Sequence, residues 1–143
     1  MEPMETNLVD ALEDARTLAQ VQGITPEMGD TIAALAEAEL AEGRPEIARA
    51  ILEGLVVTNQ LDAGAWALLS RAHRRLGQPL AARFCADVAM RLAPGDAAAR
   101  LARAEALLAS ATEQAQGRAE LERLVGDPAA GERAAALIAA LGG

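Results

Sequence analysis

The sequence has few of the side chains from which β-structure is built. It contains no tyrosine, one tryptophan and one phenylalanine, and only 5 Ile, 6 Val and 6 Thr among its 143 residues. A sandwich, barrel or parallel sheet needs β-branched and aromatic side chains to cover its pleated faces. By contrast, 36 residues are Ala and 20 are Leu, and both are strong helix formers. The composition therefore excludes those β folds and predicts an all-α chain.

The groups that catalytic, metal and targeting sites need are also scarce. A single cysteine, Cys85, excludes an internal disulfide and a Cys-rich zinc site, and His73 is the only histidine. No Gly-rich phosphate loop is present, because the glycines are dispersed between helical segments. We therefore expect no catalysis, metal or cofactor. The lack of a long apolar run and the acidic N-terminus predict a cytoplasmic domain with no stable membrane insertion.

Lysine is absent, so all 13 basic side chains are arginine, and the formal net charge is −8. The charge is unevenly distributed: residues 1–42 sum to −9, whereas residues 71–104 sum to +5. Nucleic-acid binding needs clustered cations against phosphate, so an acidic chain of this kind is a poor candidate for it. The local positive segment is consistent either with an acidic partner segment or with an ordinary solvated face.

A 34-residue repeat organises most of the chain. Gly43 and Gly77 are 34 residues apart, and so are Pro45 and Pro79. Glycine supplies the left-handed backbone that ends one helix, and proline fits the first turn of the next. The repeat predicts a single domain in which residues 1–28 form an N-terminal helix and linker. Three units follow at 29–62, 63–96 and 97–130, and residues 131–143 form a capping helix.

Small residues recur where the two helices of a unit must approach each other closely. The second unit adds Trp66 and Leu69 on one helical face, whereas the third is degenerate, with Arg100 and Arg103 there and Ala111 in place of the glycine. This pattern resembles the tetratricopeptide repeat, a 34-residue helix–turn–helix. The resemblance implies a helical-hairpin solenoid of about three such repeats. The close-packing positions are Ala36, Ala48, Ala82 and Ala104.

The same resemblance implies a binding groove on the first helix of each unit. Such a groove binds an extended peptide through a few apolar anchors, while charges set the register. In this family, particular positions of the first helix face the groove. Carried over to this sequence, they include Ala33, Glu37, Leu40, Ala67, Arg71, Arg74, Arg75, Leu101, Glu105 and Leu108.

The order of the segments indicates which group of tetratricopeptide proteins the sequence resembles. A Gly-Ile-Thr-Pro segment at residues 23–26 precedes the first unit, and an Ala-Glu-Ala-Leu-Leu run at 104–108 lies in the third. This arrangement is similar to that of the type III secretion translocator chaperones. It implies a non-catalytic bacterial chaperone that holds a hydrophobic, translocator-like secreted client by an extended segment and prevents premature assembly. It also implies a homodimer, with Leu8, Leu12 and Ala15 as the dimer stripe.

Two other functions fit the same repeats. One is a tetratricopeptide co-chaperone for a needle or export subunit of the secretion system. The other is a general protein–protein interaction scaffold without a role in secretion. The repeat architecture serves many partners, so the fold alone does not choose among them.

Overall fold

The computed structural model describes residues 18–142, with the backbone alone for residues 18 and 19. Every regular element in this part of the chain is an α-helix, which confirms the predicted all-α class. None of these helices is long and apolar enough to cross a bilayer. The helices are α1 (Leu18–Gln22), α2 (Pro26–Ala41), α3 (Pro45–Thr58), α4 (Ala63–Arg75), α5 (Pro79–Leu92), α6 (Ala97–Leu107), α7 (Gln114–Leu124) and α8 (Gly131–Ala140).

Helices α2 to α7 form three consecutive hairpins, and the first two turn through a left-handed glycine. Gly43 has a φ of +78° and Gly77 a φ of +71°. In each turn, the N–H of the residue after glycine donates to the carbonyl five residues earlier, at 2.8 and 2.9 Å. These bonds satisfy carbonyl groups that a helix end leaves free. Pro45 and Pro79 then begin the next helices, as the repeat predicts.

Side-chain caps begin the first helix of each hairpin. Thr25 Oγ1 accepts a hydrogen bond from the N–H of Met28 and so caps the start of α2. Asp62 and Asp96 cap α4 and α6 in the same way. Such a cap satisfies one of the free N–H groups of the first turn. Because α2 begins at Pro26, it extends beyond the start of the first repeat at residue 29, into the segment predicted to be a linker.

The third hairpin has a longer connection, which shifts the register of the repeat. Residues 108–113 join α6 to α7, compared with 42–44 and 76–78 in the other hairpins. No residue in this connection has a positive φ, so the chain turns over more residues. The 34-residue period places Gln116 at the close-packing position, but Gln116 is exposed and Gly117 is buried there. The register predicted beyond this turn is therefore wrong by one residue.

At Gly117, α7 approaches α6 too closely to leave room for a side chain. A Cβ atom there would lie 2.9 Å from the carbonyl oxygen of Ala104 and 3.0 Å from Leu107 Cβ. We expect Gly117→Ala to lower the free energy of unfolding by about 1–3 kcal/mol. The added methyl group would press on the backbone of α6, which cannot move away as the end of a flexible side chain can. Chemical denaturation measures the change.

Gly54 is the matched control, because it lies inside α3 and nothing lies within 4 Å of an added Cβ. Gly54→Ala should raise the free energy of unfolding by about 0.5–1 kcal/mol, the usual helix preference for Ala over Gly. Equal effects of the two substitutions would contradict the close approach of α6 and α7.

The core consists of three clusters along the array. The first contains Leu40, Leu52, Leu55 and Leu69 among its larger residues. The third contains Leu101, Leu121 and Leu124. The middle cluster, between α4, α5 and α6, has a buried core made of alanine alone: Ala67, Ala86, Ala89, Ala99, Ala102 and Ala106.

The small residues at the predicted close-packing positions are all buried. Ala36, Ala48, Ala82 and Ala104 are each at most 1% exposed, which confirms that prediction. In the second hairpin the approach is direct, because Ser70 Oγ donates to the carbonyl oxygen of Ala82 at 2.7 Å. Cys85 is also buried, as expected of a small hydrophobe, and burial raises the pKa of its thiol to about 11.

Candidate partner-binding groove

The first helices of the three hairpins and the start of α8 line one cavity of about 470 Å³, which we call the groove. Helix α2 contributes one wall, α4 lies in the middle, and α6 and α8 close the far side. The lining residues are Asp30, Ala33, Glu37, Asp62, Gly64, Ala65, Ala67, Leu68, Arg71, Ala98, Leu101, Ala129, Ala130 and Arg133.

Ten residues are predicted to face the partner, and five of them line this groove. Side chains one helical turn apart share a face, which places Ala33 with Glu37 on α2 and Ala67 with Arg71 on α4. Leu101 of α6 completes the set. The structure therefore brings together residues from all three predicted repeats at one cavity.

Two of the predicted groove residues are buried and do not line the groove. Leu40 is 1% exposed and packs in the first core cluster. It lies four residues after Ala36 and so shares the face that packs on α3. Glu105 is also 1% exposed, because α6 is packed on several sides and its carboxylate is covered by arginines.

Three further predicted residues lie outside the groove. Arg74 is half-buried, with its Nη1 3.9 Å from Glu105 Oε2. Arg75 is exposed and donates through Nη1 to the carbonyl oxygen of Leu40 at 3.3 Å. Leu108 packs against the third core cluster. The predicted dimer stripe of Leu8, Leu12 and Ala15 lies outside the residues that the structure describes.

Arg133 of α8 is the main groove residue that sequence reasoning missed. Its Nε donates to Glu105 Oε1 at 2.7 Å, and its side chain lines the groove. Helix α8 follows the last repeat, so the 34-residue period gives no equivalent position from which to infer its role. The only sequence signal was the charge itself, one arginine in an Ala-rich capping helix.

The charges of the groove are divided between its walls. Asp30 and Glu37 lie on the α2 side and Asp62 caps the start of α4, whereas Arg71 lies further along α4 and Arg133 lies on α8. Burial lowers the pKa of Arg71, and the positive charge of Arg133 lowers it further, while Glu105 and Glu37 act in the opposite direction. Desolvation and a like charge both disfavour the charged form of a base. The α4–α8 side is therefore suited to accept negative charge.

The groove has no arrangement typical of metal binding. Residues 18–142 contain no group of three or more His, Cys, Asp or Glu side chains that could hold a metal ion. The single histidine and the single cysteine lie in structural positions. His73 Nδ1 lies 2.7 Å from Gln78 Oε1, and Cys85 is buried in the first cluster. The lining of the groove consists mainly of apolar and charged residues.

Comparison with known proteins identifies the fold through structures alone. No protein-family model matches the chain, and no curated protein matches it in sequence. The type III secretion translocator chaperone SycD of Yersinia enterocolitica is similar in structure, with a TM-score of 0.69 and 20% identity over 88% of this chain and 98% of that one. A type III secretion system (T3SS) complex from Aeromonas hydrophila gives a TM-score of 0.71 and 18% identity over 94% of both chains.

A third structure is SycD in complex with a peptide of the translocator YopD. It matches with a TM-score of 0.62 and 20% identity over 82% of this chain and 94% of that one. These identities are low, so the similarity is one of fold. The chain has the helical fold of the tetratricopeptide-like secretion chaperones.

Proposed function

We propose that this protein is a non-catalytic, cytoplasmic chaperone of a bacterial type III secretion system. It binds an extended segment of a hydrophobic, translocator-type secreted protein in its groove and prevents premature assembly of that protein. The observation that carries the proposal is the match of fold to SycD over 98% of the SycD chain, together with a SycD structure that holds a translocator peptide. The division of the chain into repeat units and dimerisation through Leu8, Leu12 and Ala15 both stay predictions.

The groove itself supports binding of an extended peptide. Ala33, Gly64 and Ala98 line it with side chains no larger than a methyl group, so a peptide backbone can approach the helices closely. Leu68 and Leu101 add apolar surface for an anchor side chain. An extended chain places successive side chains on opposite sides, and it can therefore contact the acidic and the basic wall in alternation.

Co-expression with the adjacent genes tests the proposed function. We expect one secreted protein with two long hydrophobic segments to co-purify with this chain and to stay soluble only in its presence. A small needle-type or export subunit in its place would favour the co-chaperone function. Co-purification of no secreted protein would favour a general scaffold and contradict the proposal.

A pair of substitutions locates the binding surface. Ala98 lies exposed in the groove, and Ala136 lies exposed on α8 away from the groove. Ala98→Trp fills the groove with an indole and should weaken client binding at least about tenfold, which corresponds to about 1.4 kcal/mol. Ala136→Trp makes the same change outside the groove and should leave the affinity unaltered. Equal client affinities of the two variants, measured by calorimetry, would place the client elsewhere.

A further inference from the structure

Arg71 is the half-buried arginine of the groove that has no carboxylate partner. Among the arginines in residues 18–142, only Arg71, Arg75 and Arg91 form no ion pair with an acidic side chain. Arg75 donates to a main-chain carbonyl, and Arg91 is exposed on α5. Arg71 lines the groove and is partly withdrawn from water, which makes an unpaired guanidinium less favourable than on an open surface.

The neighbouring charges leave the Arg71 side of the groove with excess positive charge. Glu105 is the buried carboxylate beneath it, and this single carboxylate is already shared by Arg133 at 2.7 Å and Arg74 at 3.9 Å. Two guanidinium groups therefore share the one carboxylate, and Arg71 has no carboxylate within 4 Å among the described residues. Glu37 of the opposite wall forms no ion pair with Arg71 within 4 Å, so it attracts Arg71 only across the cavity.

We propose that the Arg71 side of the groove binds the carboxylate of an aspartate or glutamate side chain in the partner's extended segment, with Arg133 as the second contributing charge. This inference rests on the proposed function, because it assigns one residue type of the bound segment. A guanidinium binds a carboxylate through two parallel charge-assisted hydrogen bonds, which fixes orientation as well as charge. The rest of the segment meets alanine and leucine.

The opposite wall limits what can flank this acidic residue. Asp30 and Glu37 lie on α2, across the groove from Arg71, and would repel a second carboxylate there. In an extended chain the next residue points to the opposite side, toward α2. The neighbours of the acidic residue in the bound segment should therefore be neutral or basic. The proposal assigns the carboxylate to a side chain, and a peptide with a free C-terminal carboxylate tests it against a chain end.

Short blocked peptides test the site without the natural partner. The probes are Ac-Ala-Ala-Glu-Ala-Ala-NH2, its Gln analogue, and the Gln analogue with a free C-terminal carboxylate. The full chain labelled with 15N-arginine reports binding through the Nε–Hε resonances of Arg71 and Arg133. We expect the Glu peptide to shift both resonances and to bind at least about tenfold more tightly than the Gln peptide.

Two variants with the same loss of charge supply the control. Arg71→Gln should abolish the preference for the Glu peptide, and Arg91→Gln should preserve it, since Arg91 is exposed and lies outside the groove. Equal binding of the Glu and Gln peptides to the unaltered protein would overturn the proposal, whatever the variants do. Tighter binding of the free C-terminal carboxylate than of the Glu peptide would overturn it as well. Either failure leaves co-purification of a client unaffected, so the proposed function is judged separately.

Discussion

Replacing Glu105 with alanine is expected to lower the free energy of unfolding by about 2–4 kcal/mol, measured by chemical denaturation. The carboxylate is 1% exposed, and among residues 18–142 it is the only acidic group within 4 Å of Arg133 and Arg74. Removing it leaves both guanidinium groups without a carboxylate partner in this part of the chain. The expected loss is below the roughly 3–5 kcal/mol of fully buried pairs because Arg74 and Arg133 are 33% and 37% exposed and can turn toward water.

The control for this prediction is Glu132→Ala, at an exposed residue in the first turn of α8 that forms no ion pair among the described residues. It should change the free energy of unfolding by no more than about 0.5 kcal/mol. Adding Arg133→Ala to Glu105→Ala should restore part of the loss, because one unpaired charge is then removed. A loss for Glu105→Ala no greater than that for Glu132→Ala would show that the carboxylate is not held as described.

Replacing Trp66 with alanine is expected to lower the free energy of unfolding by about 3–5 kcal/mol. The indole packs against both the first and the middle core clusters, and its Nε1 donates to the carbonyl oxygen of Gln60 at 2.9 Å. Its loss would open a cavity where two clusters meet. Denaturation should be followed by circular dichroism, because Trp66 is the only tryptophan.

Phe84 provides the comparison for Trp66. The two rings make an edge-to-face contact with centroids 6.2 Å apart, but Phe84 is 60% exposed. Phe84→Ala therefore removes the ring pair without opening a core cavity, and it should cost at most about 1.5 kcal/mol. Similar losses for the two substitutions would mean that the ring contact, and not the packing between clusters, accounts for the role of Trp66.

Local backbone chemistry is what made much of the fold predictable from the sequence. Gly43 with Pro45, and Gly77 with Pro79, each specify the end of one helix and the start of the next without reference to distant residues. The third turn lacks such a glycine, so the period could not reveal its extra residue. Gly117 takes the close-packing position one residue later than expected, because a Cβ there would lie 2.9 Å from the carbonyl oxygen of Ala104.

The groove could be predicted only where it follows the helical period. Ala33, Ala67 and Arg71 line the groove, and they lie at helix positions that recur with each repeat. The exception is Glu105, whose burial depends on Arg133, 28 residues later and outside the repeats. A long-range ion pair of this kind produces no repeating pattern in the sequence. Sequence spacing alone therefore predicted that Glu105 would face the groove.

The alanine cluster between the second and third hairpins has a consequence for the shape of the array. A methyl group has no rotamers, so ordering these alanines costs no side-chain entropy. The small side chains let the backbones of the helices lie close together, and the larger Trp66 and Met90 pack only against the edge of the cluster, where they are partly buried. The curvature of a solenoid follows from small rotations between successive repeats. A single larger side chain at Ala99 or Ala102 would act as a wedge there and change the curvature of the whole array.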